Sequence, residues 1–95
     1  MIKVKYDVTP KNLVIAAAVA NIADELDITV VITSGTDGFH MATSKHYTGD
    51  ALDLRRFNME PVMLALFLVR LKERLGRNYD VILEKDHIHC EYDPK

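Results

Sequence analysis

The chain has little of what usually classifies a protein at sight. It has one cysteine, Cys90, in 95 residues, so no disulfide can form within it and an oxidising compartment is not implied. No apolar run approaches the roughly 18–20 residues needed to cross a bilayer. The start, Met1-Ile-Lys-Val-Lys-Tyr-Asp7, has no signal-peptide core, which predicts cytoplasmic synthesis without a signal peptide and no membrane insertion. Blocks of like charge are missing as well. Lys plus Arg number 12 against 14 Asp plus Glu, a formal net charge of −2. That balance argues against a nucleic-acid partner, since modules that bind a polyanion carry a basic surplus or patch. There is no repeat, linker or low-complexity segment. What is there, 48% hydrophobic and 27% charged residues, is the composition of a globular domain. A chain this short buries only about 60–65% of its unfolded surface, so a single domain over residues 1–95 is expected.

Local patterns predict the elements. Ile2 to Val8 alternates apolar and polar residues, as a half-buried strand or an extended lead-in arm does. Thr9-Pro10 offers a cap and a first-turn proline, and the Ala-rich segment to about Leu26 predicts a helix buried over most of its circumference. Ile28 to Thr33 is a β-branched run bounded by Ser34-Gly35, the pattern of a buried strand. Ser34 to Gly49 lacks apolar periodicity and predicts a long loop, a length usually reserved for function. Asp50 to Arg55 alternates again, with Ala51, Asp53 and Arg55 against Leu52 and Leu54. Asn58, Glu60 and Pro61 open a second helix that runs to about Leu75 and stops at Gly76 as a left-handed C′ residue. Its stripe from Val62 to Leu71 is core, and Arg70, Lys72 and Arg74 gather toward its negative end. Tyr79 to Leu83 and His87 to Tyr92 are short β-rich pieces, joined as a hairpin or as one bulged strand.

The four histidines fall in two places, His40 and His46 in the long loop and His87 and His89 near the end. Gly49 allows a sharp turn that returns Asp53 beside the His46 ring. His87 and His89 are two apart, so on a strand they share a face, while Ile88 and Cys90 point the other way. Either histidine can supply a third ligand. Two imidazoles and a carboxylate without a thiolate is the ligand class of catalytic zinc, which keeps a fourth position open for water. A nearby carboxylate must then take that water's proton, and Glu84 and Asp86 are the candidates. Taken singly, each residue has an ordinary use: His40 as a solvated loop histidine, Asp53 in an ion pair with Arg55 or Arg56, the two C-terminal histidines as strand surface. Their order along the chain favours one site. Cys90 is expected to pack as a small apolar residue beside it.

Ser44-Lys-His-Tyr-Thr-Gly-Asp-Ala-Leu-Asp53 resembles the SxHxxGxAxD motif of the zinc D-alanyl-D-alanine carboxypeptidase and L-alanyl-D-glutamate endolysin peptidase family at every fixed position, and His87-Ile-His89 resembles its C-terminal HxH. The same stretches are similar to the amino-terminal signalling domain of hedgehog proteins: His40 stands six residues before His46, and His46-Tyr47 and His87-Ile-His-Cys90 are repeated there. The resemblance runs from Thr33 onward. It implies that His46, Asp53 and His89 bind one zinc ion per chain. It places Asp86 where the carboxypeptidases and endolysins have their acidic general base, and Glu84, with a one-residue deletion, where hedgehog-like members have a glutamate. His87 is then a group beside the metal that hydrogen-bonds the oxyanion or substrate, His40 lines the cleft, and Ser44 braces the loop. One position departs from the peptidases, which carry an arginine shortly after the Ser-Gly that ends the preceding strand; here Thr36 and Asp37 follow Ser34-Gly35, as hedgehog domains also lack it.

The fold expected is therefore α+β: a mainly antiparallel sheet of about four strands with two helices on one face and a zinc cleft, of the hedgehog and D,D-peptidase kind, on the other. The function expected is a zinc metallopeptidase hydrolysing a peptide bond in peptidoglycan stem peptides, phage or bacterial, acting on the cell wall after release or as part of a virion. The alternative is a hedgehog-like zinc-binding module with little or no turnover that binds a peptide or protein partner.

Overall fold

In the computed structural model, residues 2–4, 12–34, 51–56 and 58–94 are described. Five strands form one sheet: β1 (Ile2–Val4), β2 (Val30–Ser34), β3 (Ala51–Arg55), β4 (Tyr79–Leu83) and β5 (His87–Tyr92), in the order β1-β2-β3-β5-β4. Two helices, α1 (Leu13–Leu26) and α2 (Pro61–Leu75), complete the α+β architecture. The four strands β2 to β5 pair antiparallel, as expected. The fifth lies at the sheet edge beside β2. Ile2–Val4 pairs with β2 in parallel, and parallel neighbours need a crossover, which α1 provides.

Alternation along the strands sorts the side chains. Leu52 and Leu54 of β3, Ile88 and Cys90 of β5 and Val81 of β4 are buried in one cluster with Ile15, Val19, Ile22, Phe67 and Leu71 of the helices. Burying each large member contributes about 1.5–3 kcal/mol, so this face alone fixes which side of β3 and β5 is turned away. Both helices belong to that side.

α1 departs from expectation in its burial. Its α-helical turns begin at Leu13 behind the cap residue Asn12; Thr9 and Pro10 lie outside the described residues. Only the stripe Ile15, Ala16, Ala18, Val19, Ile22 and Ala23 is buried, because the sheet covers a single side, while Leu13 and Val14 are exposed. The helix ends at Asp27 in the left-handed region, with φ 53°, where the Ile28 amide donates to Ala23 O at 2.9 Å. α2 starts at Pro61 rather than Asn58, whose side chain instead donates to Thr29 O at 2.9 Å. Leu64, Phe67 and Leu71 are buried, but Val62, Leu66 and Val69 of the predicted core stripe are exposed. Arg70 and Arg74 reach Glu25 of α1 at 3.5 and 2.5 Å. Gly76 does end the helix with a positive φ of 81°, though its ψ of −172° is outside the left-handed helical region. The last two strands form a hairpin, closed by Glu84 N donating to His87 O at 2.9 Å.

Candidate metal centre

The sheet register builds the centre. Asp53 of β3 lies directly opposite His89 of β5, and Arg55 opposite His87. All four occupy the face turned away from the helices, because their neighbours Leu52, Leu54, Ile88 and Cys90 are fully buried on the other side. Where β3 meets β2, the pairing slips between Ile32, opposite Leu54, and Ser34, opposite Asp53. Two residues of β2 thus span one step of β3 beside Asp53, a bulge of the kind that re-aims a strand next to a site.

Asp53 Oδ1 lies 2.9 Å from His89 Nδ1 and 3.6 Å from His87 Nε2. Single ligand atoms of the three residues all fall within 4.8 Å of one another. Zinc bonds of about 2.0–2.2 Å at tetrahedral angles place neighbouring ligand atoms about 3.3–3.5 Å apart, so these separations fit one ion with a small outward shift. The side chains of Asp53 and His89 are 15% and 16% exposed, shielded enough for charge to matter and open enough for a ligand to enter. The Asp53 carboxylate raises the pKa of His89, Glu91 adds to the effect, and burial opposes it. Both carboxylates therefore favour the protonated form of the ring.

Beyond the cluster, Asp86 Oδ1 meets His87 Nδ1 at 2.5 Å, which pulls the exposed Asp86 carboxyl below its ordinary pKa. This contact leaves His87 Nε2 as the nitrogen facing Asp53. The neighbouring Glu84 serves the turn through its backbone, and its carboxylate is exposed. Arg56 donates to the carbonyls of Glu84 and Lys85 at 2.7 and 3.4 Å, clamping the end of β3 to the turn that carries Asp86. Asn12 anchors the other end of β3: fully buried, it donates to Ala51 O at 3.2 Å. Cys90 is buried in the core, as expected, and burial with the nearby Asp53 charge pushes its thiol up to about 12, so it offers neither a nucleophile nor a ligand.

Asp53, His87, His89 and Asp86 are thus brought together, and Glu84 lies exposed in the same turn as Asp86. His40, Ser44 and His46 lie outside the described residues. Two contributors were missed by the sequence reading, Glu91, whose carboxylate lies 2.9 Å from His89 Nε2, and Asn12, and so was the hold of Arg56, named there only as an ion-pair candidate, on the turn. Glu91 was within reach, since the two-residue period that pairs His87 with His89 extends to it. Nothing local marks Arg56 or Asn12, whose partners are 28 and 39 residues away. No protein-family model matches the chain, and no curated protein sequence matches it significantly.

Proposed function

We propose that the chain is a zinc metallopeptidase that hydrolyses a peptide bond in peptidoglycan stem peptides, of the D,D-carboxypeptidase or endopeptidase type. The observation behind this is the meeting of Asp53, His87 and His89 on one open face, at separations suited to a tetrahedral ion. The motif from Ser44 to Asp53 ends on the same strand. Asp53 and His89, with His46, would hold the ion. When bound, zinc supplies Lewis-acid polarisation of a carbonyl and acidification of water.

The chain's own residues do the rest. Asp86 accepts the Nδ1–H of His87 and so turns Nε2 toward the site, where the ring, when it carries a proton on both nitrogens, donates Nε2–H to the oxyanion that develops on the scissile carbonyl. The ionised Asp86 carboxylate takes a proton from the attacking water and returns it to the leaving amine, with Glu84 as the alternative acceptor in the same turn. Arg56 keeps that turn in place. Arg55, opposite His87, offers a substrate carboxylate the positive charge that the peptidases take from the preceding loop.

The absence of that loop arginine, with Thr36 and Asp37 in its place, favours a second reading: a zinc-binding module that holds a peptide or protein partner without cleaving it. Purified muropeptides separate the two. Under the peptidase reading, Asp86→Ala or Glu84→Ala cuts turnover by about 10²–10⁴-fold while zinc content stays at one ion per chain. Stoichiometric zinc in a wild type that cleaves nothing would instead select the module.

A further inference from the structure

The His89 ring meets a carboxylate at each nitrogen: Asp53 Oδ1 at 2.9 Å from Nδ1, and Glu91 Oε1 at 2.9 Å from Nε2. Carboxylates only accept, and a neutral imidazole has a single N–H. A neutral ring therefore satisfies one of these contacts and aims a lone pair at the other, unless a cation lies there. The two ends differ. Asp53 belongs to the three-group cluster with His87, so a cation held by that cluster replaces the proton on Nδ1. Glu91 lies outside it, one strand step beyond His89, and its partner across β3 is Ala51, which has no polar side chain. Among the described residues, His89 is the sole hydrogen-bond donor to the Glu91 carboxylate. Asp80 and Asp93 bring further carboxylate oxygens within 4.8 Å of Glu91. The Glu91 carboxylate can only accept, so the contact at this end of the ring is satisfied by an N–H on Nε2.

We propose that Glu91 is a positioning residue for the metal: by accepting the Nε2–H it holds His89 in one tautomer and orientation, so that Nδ1 is the nitrogen presented to the ion. The inference rests on the metal-binding reading above. Carboxylates behind a ligating histidine fix its ring and raise its basicity, and losing one costs about 10–100-fold in metal affinity.

The test is zinc affinity by competition with a chromophoric chelator for wild type, Glu91→Ala, Glu91→Gln and His89→Ala, each first checked for folding without metal by circular dichroism. Glu91→Ala is expected to bind zinc about 10–100-fold more weakly. Glu91→Gln, whose amide oxygen still accepts the Nε2–H, recovers most of the loss, which a merely structural role would not produce. Long-range 1H–15N spectra of the zinc-loaded wild type should show His89 protonated at Nε2 and metal-bound at Nδ1, a readout that stands even if Glu91→Ala does not fold. Wild-type affinity in Glu91→Ala, or metal on Nε2, overturns the role of Glu91 and leaves the metal site standing. A wild type that takes up no zinc overturns both.

Discussion

Replacing Asp53 by Asn changes the charge at the centre without changing its shape, and so separates its two duties. Where His89 is protonated in the metal-free protein, Asp53 accepts its Nδ1–H across 2.9 Å. A hydrogen bond to a charged group contributes about 1.5–3 kcal/mol and a neutral one about 0.5–1.5, so the exchange should cost about 1–1.5 kcal/mol. Asn can then donate its own N–H to Nδ1 while Nε2–H stays on Glu91, and the fold survives. For a domain of this size, that corresponds to a fall in Tm of about 4–12 °C. The zinc response changes far more. An ion at 100 times its Kd stabilises the wild type by about 2.7 kcal/mol, a rise on the order of 10–20 °C. Asp53→Asn, having lost its anionic ligand, should show almost none of that rise. Thermal unfolding with zinc and with chelator measures both effects on one instrument. A variant that keeps the full zinc response would refute the placement of Asp53 as a ligand, and equal metal-free stability would refute the charge-assisted bond to His89.

Two further outcomes follow from the same structure. The raised pKa of His89, due first to Asp53, contributes stability that is complete below its unfolded value of about 6.5 and is lost as pH rises through the raised folded value. Urea unfolding in chelator should therefore weaken across that window while zinc affinity rises, because the ion displaces the His89 proton; parallel pH trends would contradict this. Gly76 has a φ of 81° and a ψ of −172°, and an added Cβ there would meet nothing within 4 Å. Gly76→Ala should accordingly destabilise by about 1–3 kcal/mol through backbone strain alone, and a neutral result in urea titration would show that the helix end relaxes.

Much of this was legible in local sequence. The β-branched run before Ser34, the alternation of Leu52 and Leu54 against Asp53, and the HxH spacing foretold three strands and the face each residue takes. Pattern failed where a partner is distant. The same two-residue alternation at Ile2–Val4 suits a free arm or a strand, and only pairing with Val30 to Ile32 decides between them. The Ala-rich run of α1 and the stripe of α2 look buried all round, yet a sheet covers one side of a helix, so Val14 and Val69 stay in solvent.

For the centre, the residue types alone limited the chemistry: imidazole and carboxylate without thiolate, on strands whose period turns them to a common side. The tertiary structure decided which groups meet. Antiparallel pairing set Asp53 directly opposite His89, within hydrogen-bond distance of its ring. The hairpin turn gave Asp86 to His87 and left the Glu84 carboxylate exposed, and the next strand step brought Glu91 to the far side of the His89 ring. Side-chain period is a property of one strand, whereas register is a property of two, and contacts between residues 36 apart exist only once both strands are in place.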